Sequence, residues 1–268
     1  MTVLEQILAT KRDEVTMLHR PAVRDLLRAR ALAAPPTRGF EAALHRDDGS
    51  IAVIAEFKRR SPSKGDLAPH LDPATTASAY ATGGATCLSV LTDASYFGGA
   101  VADLDAARGA VDIPVLRKDF VIDEVQVFET RAVGADAILL IVAALRDDSV
   151  LADLLGLATE LGLGVLVETH DDAELERALR AGARVVGVNA RDLGTFHEDL
   201  SVGERLAKAI PAEVVAVAES AIRSVDDAAR MADSGFDAVL VGEMLVRADD
   251  ATATVRELAS VARRPRIS

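Results

Sequence analysis

The sequence predicts an α/β fold, a (β/α)8 TIM barrel with an N-terminal helical extension. Eight short apolar runs alternate with longer amphipathic stretches over residues 51–262, and near-continuous apolar runs separated by helices are typical of parallel strands. A weak repeat of helix end, glycine, turn and strand recurs at Gly84, Gly134, Gly182 and Gly235. Eight βα units over roughly 210 residues match the length of such a barrel.

Residues 1–50 are predicted to form the helical extension. Apolar residues at positions 3, 4, 7, 8, 15 and 18 have helical spacing. A second helix begins at Pro21, a residue that suits the first helical turn, and ends at Pro35. We expect the extension to pack on the barrel, residues 51–262, so that residues 1–268 form a single domain.

The eight apolar runs predict the barrel strands in order: 51–57, 87–92, 113–118, 137–142, 164–169, 185–190, 214–219 and 238–243. The repeated glycines suit helix C-caps, where a left-handed residue is needed. A doubly wound open sheet is the alternative, although it usually has fewer strands.

Composition limits the possible partners. The 268 residues carry a net charge of −12, which argues against binding to nucleic acid or an anionic membrane. The single cysteine, Cys87, is expected in the core of a protein from a reducing compartment. The N-terminus has no signal-peptide pattern, and the longest apolar run, nine residues, is too short to span a bilayer. These features predict a cytoplasmic protein.

No cofactor is expected. The five histidines are scattered without metal-ligand spacing, and the chain contains neither a Walker loop nor a GxGxxG motif.

Charged and polar residues follow the predicted strands, at the end where barrels place function. In order they are Glu56, Lys58, Thr92, Lys118, Glu168, Asn189, Arg191, Glu219, Ser220, Gly242 and Glu243. Lysines and glutamates in this arrangement suit general acid–base chemistry, if the pKa of a lysine is lowered and that of a glutamate is raised toward neutrality. Barrels often bind phosphate after strands 7 and 8, next to Lys58 on the closed ring. The residues thus predict a cofactor-independent barrel enzyme for a small phosphorylated anion.

The sequence closely resembles the indole-3-glycerol-phosphate synthase family. The resemblance is carried by "EFKRRSPSKG", "SVLTDASYFGG", "PVLRKDF", "GADAILLIVAAL", "LVETH", "VGVNARDLGTF", "AESAI" and "VLVGE", which span residues 51–245 in the family's order. It implies a carboxy-lyase of tryptophan biosynthesis that converts 1-(2-carboxyphenylamino)-1-deoxyribulose 5-phosphate to indole-3-glycerol phosphate, CO2 and water.

The resemblance also implies catalytic roles. Lys118 would be the general acid and Glu168 the second acid–base group, while Glu56 would pair with both Lys118 and Lys58. Lys58 would bind the phosphate. Two further residues, Asn189 and Glu219, would hydrogen-bond substrate hydroxyls and the intermediate.

Substrate binding is implied for a second set of residues. Ser61 and Arg191 would hold the anthranilate carboxylate, since a guanidinium fork suits a carboxylate. The aromatic ring would lie among Phe97, Phe120, Leu139, Leu193 and Leu240. The phosphate would lie against the N–H groups of Ser220, Ala221, Gly242 and Glu243.

Position 221 departs from the family, which usually has glycine there. Ala221 keeps the N–H donor but disfavours a positive φ, so a slightly altered phosphate contact is expected.

Residues 56–65 are expected to form a flap over the barrel mouth, in which Arg59, Arg60 and Lys64 attract the anionic substrate or face solvent.

There are three alternative functions. A Schiff-base aldolase would use Lys118 as its nucleophile. Phosphoribosylanthranilate isomerase and the tryptophan synthase α subunit are also phosphate-binding barrels, but they lack the "KRRSPSKG" and "LRKDF" pair. A localisation motif in "KRRSPSK" conflicts with its place at a strand end.

The protein is expected to be a monomer or a weak homodimer.

Overall fold

The computed structural model describes residues 2–62, 64–191, 197–264 and 266. Eight parallel strands close into a barrel in which each strand pairs with the next along the chain and the last pairs with the first. Their bounds are β1 Ala52–Phe57, β2 Cys87–Leu91, β3 Val115–Lys118, β4 Ala137–Ile141, β5 Gly164–Thr169, β6 Val185–Asn189, β7 Val215–Glu219 and β8 Ala238–Val241. The predicted TIM barrel is confirmed.

Helices precede the barrel and alternate with its strands. Their bounds are α1 Val3–Leu18, α2 Pro21–Ala33, α3 Phe40–Leu44, α4 Pro73–Gly83, α5 Ala94–Phe97, α6 Val101–Gly109, α7 Glu124–Ala132, α8 Asp148–Glu160, α9 Asp172–Arg180, α10 Leu200–Leu206, α11 Val225–Asp233, α12 Glu243–Val246 and α13 Ala251–Ala259. Short 3₁₀ turns occupy Val142–Ala144 and Ala207–Ala209. None of the described helices is long and apolar enough to cross a membrane.

The repeated glycines end helices in the predicted way. Gly84, Gly134, Gly182 and Gly235 have φ values of 98°, 85°, 88° and 99°. A side chain would strain this conformation, which turns the chain from each helix into the next strand.

The N-terminal extension reaches both ends of the barrel. The sequence did not predict α3, whose Phe40 and Leu44 are fully buried in the same apolar cluster as Leu166 and Val185 of the barrel interior. Phe40 lies so close to Gly164 that a Cβ there would come within 2.7 Å of the phenylalanine Cβ. Because Gly164 begins β5, α3 covers the N-terminal end of the barrel.

Side chains of the strands form two apolar layers. Alternate residues such as Ile54 and Leu116 fill the barrel, while Val53 and Val115 pack outward against the helices. This alternation follows from the two-residue repeat of a strand. It also directs Glu56, Lys118 and Glu168 inward, since they lie two residues beyond interior positions.

Candidate active site

A cavity of about 440 Å³ opens at the carboxyl ends of the barrel strands. Its wall contains every described residue for which the resemblance implied a catalytic or binding role: Glu56, Lys58, Ser61, Phe97, Lys118, Phe120, Leu139, Glu168, Asn189, Arg191, Glu219, Ser220, Ala221, Leu240, Gly242 and Glu243. Thr92, which also follows a predicted strand, does not line the cavity and instead donates a hydrogen bond to Asp119. Leu193 lies outside the described residues. The closed barrel therefore brings together groups that are almost 190 positions apart in the chain.

Lys118 lies at the centre of the buried charges. Its Nζ donates to Oε2 of Glu168 at 3.1 Å and lies 3.8 Å from Oε2 of Glu219. Oε1 of Glu168 accepts a hydrogen bond from Nδ2 of Asn189 at 3.1 Å. The four side chains come from β3, β5, β6 and β7, so the arrangement depends on barrel closure.

The predicted lowering of the lysine pKa is wrong. Burial alone would lower the pKa of Lys118, but the carboxylates of Glu168, Glu219 and Glu56 outweigh it and raise that pKa above its ordinary value. The sequence interpretation assumed neighbouring cations, whereas the barrel surrounds the ammonium with carboxylates. Lys118 is therefore a cation at neutral pH.

The pKa values of the two glutamates near Lys118 are shifted in opposite directions. Burial would raise the pKa of Glu168, but Lys118, His170 and Asn189 lower it, so Glu168 is an anion. Burial raises the pKa of Glu219, and the charge of Glu168 raises it further. The predicted raised glutamate pKa thus holds for Glu219 and fails for Glu168.

Gly187 makes room for the carboxylate of Glu219. A Cβ at position 187 would overlap Oε1 of Glu219. That oxygen is buried without a hydrogen-bond partner in the described part of the protein. A buried polar atom without a partner is costly, and this one belongs to a side chain that lines the cavity.

Glu56 forms an ion pair with Lys58, which lies two residues further along the chain. Nζ of Lys58 donates to Oε1 of Glu56 at 2.6 Å. The expected ion pair between Glu56 and Lys118 is not formed, because Lys118 bonds to Glu168 instead. A Cβ at Gly242 would come within 2.5 Å of Oε1 of Glu56, so this glycine also provides space for a carboxylate.

The loop after β7 has an unusual backbone. Ser220 and Ala221 are both left-handed, with φ values of 65° and 60°. Their N–H groups donate to no backbone acceptor in the described part of the chain. Ala221 thus adopts the positive φ that the sequence suggested it would disfavour, at a cost of roughly 1 kcal/mol.

The flap after β1 is a short hairpin that pairs Arg60–Ser61 with Gly65–Asp66. Arg59 is not among the described residues that line the cavity. Its guanidinium forms two hydrogen bonds, of 2.6 and 2.9 Å, with the carboxylate of Asp103 and lies 4.9 Å from the ring centroid of Phe57. It therefore fastens the base of the hairpin to α6, whereas Lys64 lines the cavity.

Sequence reasoning missed several residues of the cavity wall. Val3, Leu4 and Ile7 of α1 belong to it, because the extension folds over the mouth. At the opposite rim, Glu198 forms ion pairs with Arg191 and Arg223. Helical periodicity could have shown that α1 has an apolar face, but no local pattern could show which surface that face covers.

The fold and the cavity define a class of protein: a barrel enzyme whose buried lysine and carboxylates suit acid–base catalysis at the carboxyl ends of its strands. Among the described residues, no group of three or more His, Cys, Asp or Glu side chains is arranged to hold a metal ion.

Comparison with known proteins identifies the family. Residues 4–258 match the family described as "Indole-3-glycerol phosphate synthase", and the chain belongs to that family. Relatives of that name include a protein of Arthrobacter sp. (strain FB24), 53% identical over 94% of this chain and 93% of its own, and one of Mycobacterium ulcerans (strain Agy99), 48% identical over 98% and 96%. The predicted family and enzyme class, a carboxy-lyase, are confirmed.

A solved structure adds support for the fold alone. A chain of "a cube-shaped, highly porous protein cage designed by fusing symmetric oligomeric domains" aligns with a TM-score of 0.54 and 15% identity over 79% of this chain and 72% of its own.

Proposed function

We propose that this chain catalyses its family's reaction, in which 1-(2-carboxyphenylamino)-1-deoxyribulose 5-phosphate closes to indole-3-glycerol phosphate with loss of CO2 and water. One observation carries the proposal: the contact between the half-buried Lys118 cation and the buried Glu168 anion beneath a cavity of suitable size. An acid and a base with opposite charges, held in contact before substrate arrives, suit a reaction that needs both.

Lys118 would act first, as the general acid. Its raised pKa keeps the ammonium protonated at neutral pH, so it can donate a proton to the substrate carbonyl oxygen as the aromatic ring carbon attacks that carbonyl. The positive charge also stabilises the developing oxyanion in a site where water is scarce.

Glu168 would then accept a proton in the dehydration that completes the indole. Its lowered pKa keeps it anionic in the free enzyme, and Asn189 holds one of its oxygens. Glu219, whose pKa is raised, is suited to donate a hydrogen bond to a substrate hydroxyl.

The substrate's anionic groups would lie at the polar rim of the cavity. The phosphate would accept hydrogen bonds from the N–H groups of Ser220 and Ala221, close to Gly242 and Glu243, with Lys58 nearby. Arg191 and Ser61 would hold the anthranilate carboxylate, and the ring would lie against the apolar wall formed by Phe97, Phe120, Leu139 and Leu240.

Indole fluorescence after mixing the enzyme with the carboxyphenylamino substrate tests the proposal. Lys118→Ala is expected to reduce turnover by about 10²–10⁴-fold, the usual contribution of an acid–base group, with a smaller change in substrate affinity. Lys208→Ala, at an exposed position, is the matched control and is expected to keep full turnover. No indole signal from the unmodified enzyme would refute the proposed reaction.

A Schiff-base aldolase is the second candidate, because Lys118 is buried in the mouth of the barrel. The raised pKa of Lys118 disfavours it, since a Schiff base forms from the neutral amine. Borohydride trapping of substrate on Lys118 would favour the aldolase.

We also propose a cytoplasmic location and a monomer or weak homodimer. The fully buried Cys87, whose pKa burial raises, suits a protein that forms no disulfide. Light scattering over a range of concentrations would detect a stable larger assembly, which would contradict the proposed oligomeric state.

A further inference from the structure

His170 lies behind the catalytic carboxylate rather than in the cavity. It follows β5 directly, two residues after Glu168, and its side chain is 13% exposed. Glu168 contributes to the cavity wall, whereas His170 is not among the described residues that line it. The ring can therefore affect the reaction only through the residues it contacts.

Both ring nitrogens of His170 face carboxylates. Nδ1 lies 2.9 Å from Oε2 of Glu174, and the same oxygen accepts the backbone N–H of His170 at 2.8 Å. Nε2 lies 3.4 Å from Oε1 of Glu168. Nε2 is buried and makes no hydrogen bond in the described protein, so its contact with the Glu168 carboxylate is an ion pair.

Glu174 is held in place by the first turn of α9. Asp171 caps this helix, and its carboxylate accepts the N–H of Glu174 at 2.8 Å. An N-cap of this kind stabilises the helix start. The position of Glu174 therefore depends on the helix and not on the cavity.

A ring between two carboxylates is best satisfied as an imidazolium, since only that form donates from both nitrogens. Burial alone would lower the pKa of His170, but the nearby carboxylates of Glu168 and Glu174 outweigh it and raise that pKa to about 10. The result is a row of alternating charges: Glu174, His170, Glu168 and Lys118.

In the described protein, the cations that form ion pairs with Glu168 are Lys118 and His170. In the strand pairing, β4 presents the aliphatic Ile141 beside Glu168, and β6 contributes the neutral Asn189. Other charges of α9 have partners of their own: Asp172 pairs with Arg205, and Glu176 pairs with Arg180.

We propose that His170 and Glu174 form a positioning pair for Glu168. The imidazolium holds Oε1 from behind, so that Oε2 stays directed toward Lys118 and the substrate, and it stabilises Glu168 as the anion that accepts a proton. This inference deepens the proposed function and rests on Glu168 acting as that acceptor.

The pH profile of turnover tests the pair in the intact enzyme. His170→Gln keeps a polar side chain but removes the positive charge, so the acid limb of kcat is expected to move upward by about one pH unit, with KM within about twofold of wild type. Glu174→Gln should move the limb in the same direction by less. The double variant should shift no further than His170→Gln alone, because the two residues act as one unit.

Glu176→Gln is the matched control, because it removes a carboxylate from the exposed side of the same helix. It should leave the profile unchanged. A variant that merely loosened the fold would lower turnover at every pH without moving the acid limb. If His170→Gln fails to fold, Glu174→Gln alone still decides the matter: an unmoved acid limb overturns the inference.

A second measurement needs no activity. In NMR spectra of enzyme with ¹⁵N-labelled histidine, the His170 ring should remain doubly protonated at pH 8, and comparison with a variant at position 170 assigns its signal. Titration near the ordinary value of about 6.5 would overturn the inference.

The proposed function can fail separately. Full turnover by Glu168→Gln would refute the role of Glu168 itself. Loss of turnover in Glu168→Gln, together with a wild-type profile for His170→Gln, would refute only the positioning pair.

Discussion

At the residue scale, Gly187 shows how the absence of a side chain can make room for a carboxylate in the proposed active site. Its α-hydrogen faces Oε1 of Glu219, where a methyl group would overlap the carboxylate. In the sheet, Gly187 is paired with Glu168 of β5 on one side and with Val217 of β7 on the other. The position of Glu219 therefore depends on glycine at 187.

Gly187→Ala is expected to displace Glu219 and to reduce the free energy of unfolding by about 1–3 kcal/mol, the usual cost of overpacking. Turnover should fall by at least about tenfold, because the carboxylate leaves its place beside Lys118. Urea unfolding and the indole assay measure the two effects. Gly156→Ala in α8, where nothing lies within 4 Å of the added methyl, is the control and should be stabilising. Equal effects of Gly187→Ala and Gly156→Ala on stability and turnover would contradict this account.

Ala221 is the second residue whose backbone decides its role. It holds a left-handed φ of 60°, which costs an alanine roughly 1 kcal/mol and a glycine almost nothing. The strain lies next to the proposed phosphate site, so the loop keeps this shape in spite of the alanine.

Ala221→Gly should raise the free energy of unfolding by up to about 1 kcal/mol, reduced by the greater freedom of glycine in the unfolded chain. Affinity for inorganic phosphate should stay within about threefold, because the N–H donor is unchanged. Urea unfolding and phosphate titration provide the measurements. Ala181→Gly, at a right-handed helix end, should instead be neutral or destabilising, and stabilisation by both changes would argue against strain at position 221.

At the element scale, α1 is fastened to the barrel mouth by a buried lysine. Lys11 is 2% exposed and forms ion pairs with Asp93 and Asp119 at 2.9 and 2.8 Å. Asp119 directly follows Lys118, so this contact joins the extension to the strand end that carries the proposed acid. The apolar residues at the start of α1 then reach the cavity wall.

Lys11→Met should lower the free energy of unfolding by about 3–5 kcal/mol, because it removes the cation that pairs with the buried Asp93 and one of the two cations beside the buried Asp119. KM should rise as α1 loosens from the cavity wall. Chemical denaturation and steady-state kinetics report the two results. Arg12→Met changes an exposed neighbour on the same helix and should alter neither the free energy of unfolding nor KM. A stable Lys11→Met enzyme with normal KM would show that α1 is held by apolar contacts alone.

At the scale of the whole molecule, buried charges tie stability to pH. Burial would raise the pKa of Asp119, but Arg117 and Lys11 outweigh it and lower that pKa to about 2. A carboxylate with a depressed folded-state pKa contributes stability above its unfolded value, and that contribution is lost as the pH falls through the folded value. The relevant window therefore runs from about pH 4 down to about pH 2.

Asp119 alone is expected to account for about 2 kcal/mol of the stability lost in that window, which follows from its shift. Urea unfolding at several acidic pH values measures the loss. The stability difference between wild type and Asp119→Asn should shrink by about this amount between pH 5 and pH 2. The Asp13→Asn variant, which changes an exposed carboxylate, serves as the reference for effects common to such substitutions. A constant difference between wild type and Asp119→Asn would contradict the assigned pKa.

The sequence by itself determined the barrel and the residues at its mouth. Apolar runs, glycine C-caps and strand-end charges are local patterns, and the two-residue repeat of a strand directs Glu56, Lys118 and Glu168 to the same face. Family motifs then connected those residues with a reaction.

Only the tertiary structure decided which of these charges meet. Lys118 pairs with Glu168 rather than Glu56, Lys11 enters the mouth from the extension, and His170 contacts Glu168 from behind. No local pattern records such contacts, because they depend on how far each strand is shifted when the barrel closes. The direction of a pKa shift depends on the same contacts. The sequence predicted a lowered lysine pKa, whereas the surrounding carboxylates raise the pKa of Lys118.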